Sequence, residues 1–295
     1  MSEGQTAGNL TELFPGWWVT QSHLYHTNSG LFTSEGAAVL IDPGIYPDEI
    51  ERLASFVSER RLALQAILLT HSHWDHLLGA ERFAGIPVLA HQIFYKTAVR
   101  SEPLIRREIA AMEKEADLIR RRAFRLPCPE ITFDTSLTLQ VGRETLELYA
   151  VPGHAPDQFA IYQPGRAILW AADMLSDLEI PLVQSSLRDY MKTMCWLDDL
   201  PIRGLIPGHG SASGAIDEIE ARLSSDRAYL AELDARARQA VGQGLSMFET
   251  IQRCEDIPFR QDRVENSVAH QRNVEAAYIE AGGRAPEDSG WTRTA

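Results

Sequence analysis

Short apolar runs, broken by glycine or proline, alternate along the first two thirds of this chain with longer stretches in which apolar residues recur at helical spacing. Residues 17–19, 36–41, 66–70 and 88–91 are rich in aliphatic and β-branched side chains and read as strands. Between them, Ile50, Leu53, Ala54, Phe56 and Val57 share one face of a helix over 48–60. Residues 77–83 look like the start of another helix, following directly on the run 66–70. Further on, 132–141 and 144–151 form a hairpin-like pair turning at Gly142-Arg143, and 190–200 is an amphipathic helix leading into a last short strand near 204–206. Strands alternating with helices place the chain in the α/β class.

Two stretches depart from this rhythm. Residues 95–124 are helical from Pro103 onward and close at Pro127-Cys128-Pro129, an excursion between two strands that either covers a pocket or packs on a sheet edge. Phe94, Tyr95, Met112 and Phe124 are the candidates for an apolar pocket wall. After Gly210 the texture turns helical, with two long helices flanking a short one, broken at 241–244 and 256–258. The expected organisation is a core over 13–210 with a helical insertion at about 95–128, a helical extension over 211–281, and flexible tails at 1–12 and 282–295.

Candidate chemistry falls at the ends of the strands. His71-Ser72-His73-Trp74-Asp75-His76 puts three imidazoles and a carboxylate within six residues, on the loop after the run 66–70. In open α/β architectures ligands bind at such loops, and imidazole with carboxylate suits one or two divalent ions. Three later strands run into Pro152-Gly153-His154, Asp173 and Pro207-Gly208-His209, where the glycine of each Pro-Gly-His allows a tight turn that aims the imidazole off the strand. His91 and His270 lie outside this pattern and read as packed or capped histidines.

These residues together resemble the metallo-β-lactamase superfamily: Thr70 to His76, then Gly153-His154, Asp173 and Gly208-His209, in that order and at similar separations. Asn28-Ser29-Gly30-Leu31-Phe32 and the strand-turn Ala38 to Gly44 are similar to family members as well, so the resemblance covers roughly residues 15–210. It implies an αβ/βα four-layer sandwich, carrying here a C-terminal helical extension. It also implies two metal ions, one held by His71, His73 and His154, the other by Asp75, His76 and His209, with Asp173 bridging. Zinc is the first expectation, with iron or manganese as alternatives, since the same ligands accept all three. His73 separates the chain from oxygen-reducing relatives that carry Glu there. Asp157-Gln158 replaces the more common Pro-Gly after His154.

The chemistry implied is hydrolysis, in which hydroxide shared between two cations attacks a polarised carbonyl or phosphoryl group and Asp75 doubles as ligand and catalytic proton carrier. A small ester, lactone or thioester is the first expectation, as for an esterase or lactonase. A phosphodiesterase, a glyoxalase II-like thioesterase, and a regulatory or binding protein with incidental hydrolysis are the alternatives.

Charge and composition narrow this. At 295 residues, 44% apolar and 23% charged, the chain has the make-up of an ordinary globular protein. A formal net charge of −13 disfavours phosphate-backbone binding, so a small molecule is expected and nucleic acid is not. The one basic stretch, Arg100 to Arg125, reads as a solvated helix face laced with ion pairs. Cys128, Cys195 and Cys254 are too scattered for a disulfide framework, no basic-then-apolar leader opens the chain, and no run of eighteen apolar residues occurs. These features point to a cytoplasmic protein that makes no membrane contact, with the C-terminal helices offering a surface for a homodimer.

Overall fold

Successive residues of the central strands go to opposite sides of a sheet, and in this chain both sides are buried. A computed structural model describes residues 10–118, 123–260 and 263–284. The first sheet has seven strands in chain order: β1 (Thr11–Phe14), β2 (Trp17–Gln21), β3 (Asn28–Ser34), β4 (Ala37–Ile41), β5 (Ala63–Leu68), β6 (Val88–His91) and β7 (Ile131–Phe133). It is antiparallel as far as β4 and parallel from there on. Crossover helices α1 (Pro47–Glu59) and α2 (Phe94–Glu115) cover its outer face. The second sheet holds β8 (Ser136–Val141), β9 (Glu144–Ala150), β10 (Phe159–Gln163), β11 (Ile168–Trp170) and β12 (Gly204–Ile206), adjacent in that order. Only its β11–β12 pair is parallel, joined through helix α3 (Leu187–Asp198).

On β4, Val39 and Ile41 face the second sheet while Ala38 and Leu40 face the helices. Ala66 and Leu68 against Ile67 and Leu69 repeat the pattern around β5. This two-sided burial is why these strands read as unbroken apolar runs. The inter-sheet core includes Trp17, Phe32, Phe159 and Trp170, and the Trp17 indole donates to Gln163 Oε1 at 2.8 Å. Outside the second sheet, α3 packs with α4 (Ile216–Gly242), α5 (Met247–Cys254) and α6 (Val264–Glu280). Tyr229, Leu230, Leu233, Val274 and Ala277 of these last helices share one buried cluster with β10, β11 and α3. Burial of each large apolar side chain contributes about 1.5–3 kcal/mol. The layers run helix, sheet, sheet, helix. No helix among the described residues is long and apolar enough to cross a membrane.

Several expectations change. Residues 10–12 belong to no frayed tail: Thr11 and Glu12 are in β1, paired with β2, and the Glu12 carboxylate accepts from the Gly16 N–H at 2.8 Å. Residues 1–9 and 285–295 of the expected tails, and Arg120, Arg121 and Arg122 of the basic stretch, lie outside the described residues. Residues 132–141 are not one strand, because the chain leaves the first sheet after Phe133 and enters the second at Ser136. No α-helix starts at 77; two 3-10 turns, Trp74–His76 and Ala80–Phe83, stand there. The backbone there closes from i to i+3, as 3-10 geometry requires: the His76 N–H donates to the His73 carbonyl at 3.2 Å and the Leu77 N–H to the Trp74 carbonyl at 3.3 Å. Phe94 and Met112 are buried in the cluster between α2 and the first sheet, and α2 also backs the turn Trp74–His76.

Candidate metal centre

Four loops, each following the C-terminal end of a strand, meet where the two sheets join. Residues 71–76 follow β5, His154 follows β9, Asp173 follows β11 and His209 follows β12. The sheets are tied at this point by the Phe159 N–H donating to the Thr70 carbonyl at 2.9 Å. All seven residues singled out from the sequence come together, in two groups. In one, His71 Nε2 and His154 Nε2 lie 2.9 and 3.0 Å from His73 Nδ1. In the other, Asp75 Oδ2 is 3.5 Å from His76 Nε2 and 3.4 Å from His209 Nε2. Asp173 faces both: Oδ2 is 3.3 Å from His154 Nε2 and 3.2 Å from His209 Nε2, and Oδ1 is 3.3 Å from His76 Nε2.

The far side of each ring explains which nitrogen points inward. His76 Nδ1 donates to Asp42 Oδ2 at 3.0 Å, His154 Nδ1 to the Leu182 carbonyl at 3.0 Å, and His209 Nδ1 to the Tyr25 carbonyl at 3.1 Å. His71 Nδ1 donates to Thr70 Oγ1 at 3.1 Å, and that hydroxyl in turn donates to Asp42. With the proton held on Nδ1, four Nε2 lone pairs are directed at the centre. His73 is the exception and offers Nδ1.

Such a set is short of positive charge. One proton on His73 Nδ1 can serve only one of its two close neighbours, and His76 Nε2 and Asp173 Oδ1 are buried with no hydrogen-bond partner. Burial, then the charge of His76, pushes His71 down to about 4, and burial with His71 and His154 holds His73 well below the usual imidazole range. Burial also opposes charge on His76 and His209, yet Asp173 and the acids beside them win, lifting His76 well up and His209 to about 10. Half the cluster rejects a proton and the other half demands a cation; divalent ions satisfy both. Contacts of 3.2–3.5 Å from Asp75 and Asp173 to the facing imidazoles also match the edge of a tetrahedron of about 3.3 Å that bonds of about 2.0–2.1 Å to zinc require, while the two His73 contacts are shorter.

Comparison with known proteins agrees. The family model of the metallo-β-lactamase superfamily matches residues 24–231. The chain belongs to the metallo-β-lactamase superfamily. It is 26% identical over 211 residues to a β-lactamase-like protein 2 homolog of Caenorhabditis elegans, covering 69% of this chain and 64% of that protein. It is also 26% identical over 133 residues to a hydroxyacylglutathione hydrolase of Saccharophagus degradans, covering 45% of this chain and 40% of the relative. Among solved structures, the sec-alkylsulfatase Pisa1 of Pseudomonas sp. superposes with a TM-score of 0.74 over 93% of this chain and 50% of its own, at 20% identity. The chain thus spans less than two thirds of the length of each of these proteins. As a member of this metallo-hydrolase superfamily it has the αβ/βα sandwich and the His/Asp cluster of a divalent-metal site.

Other parts of the centre were not singled out from the sequence. Asp42, fully buried, accepts from Thr70 and His76; a carboxylate closing an apolar strand was the available signal. Asn28 donates to the carbonyls of Pro207 and Gly210 and so pins the His209 turn. Glu179, on the loop after Asp173, puts Oε1 3.9 Å from His209 Nδ1. Where the usual Pro-Gly is replaced, Gln158 Oε1 accepts from the Asp173 N–H at 3.3 Å and burial raises the Asp157 carboxyl to about 6. His91 binds the Asp134 carbonyl and His270 bonds to Tyr229 and the Cys254 carbonyl, both within packing roles.

Proposed function

We propose that this protein is a hydrolase that cleaves a small ester, lactone or thioester at a centre of two divalent metal ions, zinc first among them. The observation that carries the reading is Asp173, a single carboxylate whose two oxygens reach both histidine groups. His71, His73 and His154 would hold one ion, Asp75, His76 and His209 the other, and Asp173 both. Ions held there would supply an acidified water and a polarising charge for a scissile carbonyl.

The chain's own residues do the rest. The Nδ1 hydrogen bonds of His71, His76, His154 and His209 fix four rings in place, so little reorganisation is needed during reaction. Burial of the cluster keeps bulk water from weakening its electrostatics. Asp75, 9% exposed at the side chain, sits where a carboxylate can take a proton from the attacking water and pass it to the leaving group. The net charge of −13 supports a small substrate over a nucleic acid, and the hydroxyacylglutathione hydrolase among the relatives favours keeping thioesters within the reading.

The test is metal content of the purified protein together with chromogenic esters, lactones, thioesters and phosphodiesters, run on wild type and Asp75→Asn. Two ions per chain with turnover of one acyl class, cut by about 100-fold or more in the variant, is the expected result. Two ions with turnover of phosphodiesters alone, or of nothing, would overturn the acyl hydrolase.

A further inference from the structure

Helix α6 reaches the metal centre through the backbone of another segment. The loop 174–186, between Asp173 and α3, is held largely by side chains of the C-terminal helices. Asn266 accepts from the Ile180 N–H at 3.2 Å and donates to the Leu178 carbonyl at 2.9 Å. One heptad further along α6, Asn273 accepts from the Val183 N–H at 2.7 Å and donates to the Pro181 carbonyl at 2.6 Å. The residue bracketed by these last two bonds is Leu182, and its carbonyl is the acceptor for His154 Nδ1. Beyond it, the Gln184 N–H donates to the His154 carbonyl at 3.1 Å and the Ser185 N–H to the Gly153 carbonyl at 3.2 Å, so the segment wraps the His154 turn.

Asn273 is itself immobilised. It is fully buried, and its second amide proton goes to the Tyr229 hydroxyl at 3.0 Å. That hydroxyl donates to His270 Nδ1 at 3.0 Å, and His270 Nε2 donates to the Cys254 carbonyl at 3.0 Å. Every donor and acceptor in this series has a partner, and burial keeps His270 neutral, as the arrangement requires. Asparagine is the side chain for this place because one planar amide has to accept from Val183 and donate to Pro181 at once.

We infer that Asn273 is a positioning residue for the metal centre: by gripping the peptide groups on either side of Leu182, it fixes the carbonyl that orients His154. This rests on the reading of His154 as a metal ligand. Ligating histidines depend on such outer partners, whose loss lowers metal affinity about 10–100-fold.

The test compares Asn273→Ala with Val274→Ala, which removes buried packing from the next residue of α6 but leaves the amide in place. Stoichiometry and affinity for zinc are measured by chelator competition, and the visible spectrum of the cobalt-substituted protein reports ligand geometry. Wild type is expected to take up two ions. Asn273→Ala should bind one of them about 10–100-fold more weakly with an altered cobalt spectrum, while Val274→Ala keeps both properties despite its lower melting temperature. If Asn273→Ala fails to fold, Asn273→Asp carries the same expectation, since it keeps the shape and sets a second oxygen against the Pro181 carbonyl. Equal metal affinities in wild type and the Asn273 variant, or equal losses in the Asn273 and Val274 variants, would overturn the inference. A wild type that binds no metal would instead overturn the metal centre beneath it.

Discussion

The two Pro-Gly-His turns look alike as sequence, yet their glycines answer different constraints. Gly153 has φ +142°, and a Cβ there would strike the backbone of Tyr190. Gly208 has no such dihedral; a Cβ on it would run into Asp173 Oδ1, with the Ala172 backbone close behind. Gly208→Ala therefore pushes the shared carboxylate out of line and, with the Ala172 backbone carbon only 2.9 Å away, presses on the strand end that carries it. The expected outcome is an at least tenfold loss of metal affinity and activity; native metal binding in the variant would refute it. Seven inward-facing side chains were legible as residues because His and Asp at strand ends announce themselves. Leu182 and Tyr25 were not, since they act through carbonyls and any residue type supplies one. Asp42 lay between these cases, visible within a strand-turn pattern but without a neighbouring histidine in sequence to mark its role.

Among the elements, strands buried on both faces were legible from their apolar runs, whereas the 3-10 turns at 74–76 and 80–83 were not, because convergence on a common point overrides local propensity. Helix α4 carries a feature that no periodicity reveals. Its Asp226 is buried beneath the loop after Asp173, and burial raises its carboxyl from 3.8 to about 7, against the opposing pull of Arg260, the Leu175 N–H and Arg222. A carboxyl raised in the folded state binds a proton that the unfolded chain has already released. Its contribution to stability is therefore full below pH 4 and is lost as the pH climbs through 7. Asp226→Asn keeps an acceptor for Leu175 without that loss. Its stability advantage over wild type should grow between pH 4 and pH 7, reaching on the order of a few kcal/mol, as read from paired urea unfolding curves. A constant difference across that range would rule this out.

At the scale of the whole molecule, the sequence conveyed four layers and a helical C-terminal region, but not how that region engages the rest. Its helices share a buried cluster with the second sheet and grip the loop beside the metal centre. Metal also acts at this scale, because the facing ligands come from both sheets, and ions bound only by the folded state stabilise it by about 4 kcal/mol at a thousandfold excess over the dissociation constant. Stripping the protein with a chelator should lower its melting temperature by roughly 5–10 °C, restored by zinc, in a thermal shift assay; an unmoved transition would contradict the proposed ligand set. Because His71 and His209 are 138 positions apart, as 209 minus 71 gives, and Asn273 follows 64 later, a ribosome making this chain releases the parts in a fixed order. The histidine-rich loop emerges first, the last facing imidazole far behind it, and the helix that trues His154 later still. The nascent polypeptide thus lacks a complete set of facing ligands for as long as His209 is still to be made.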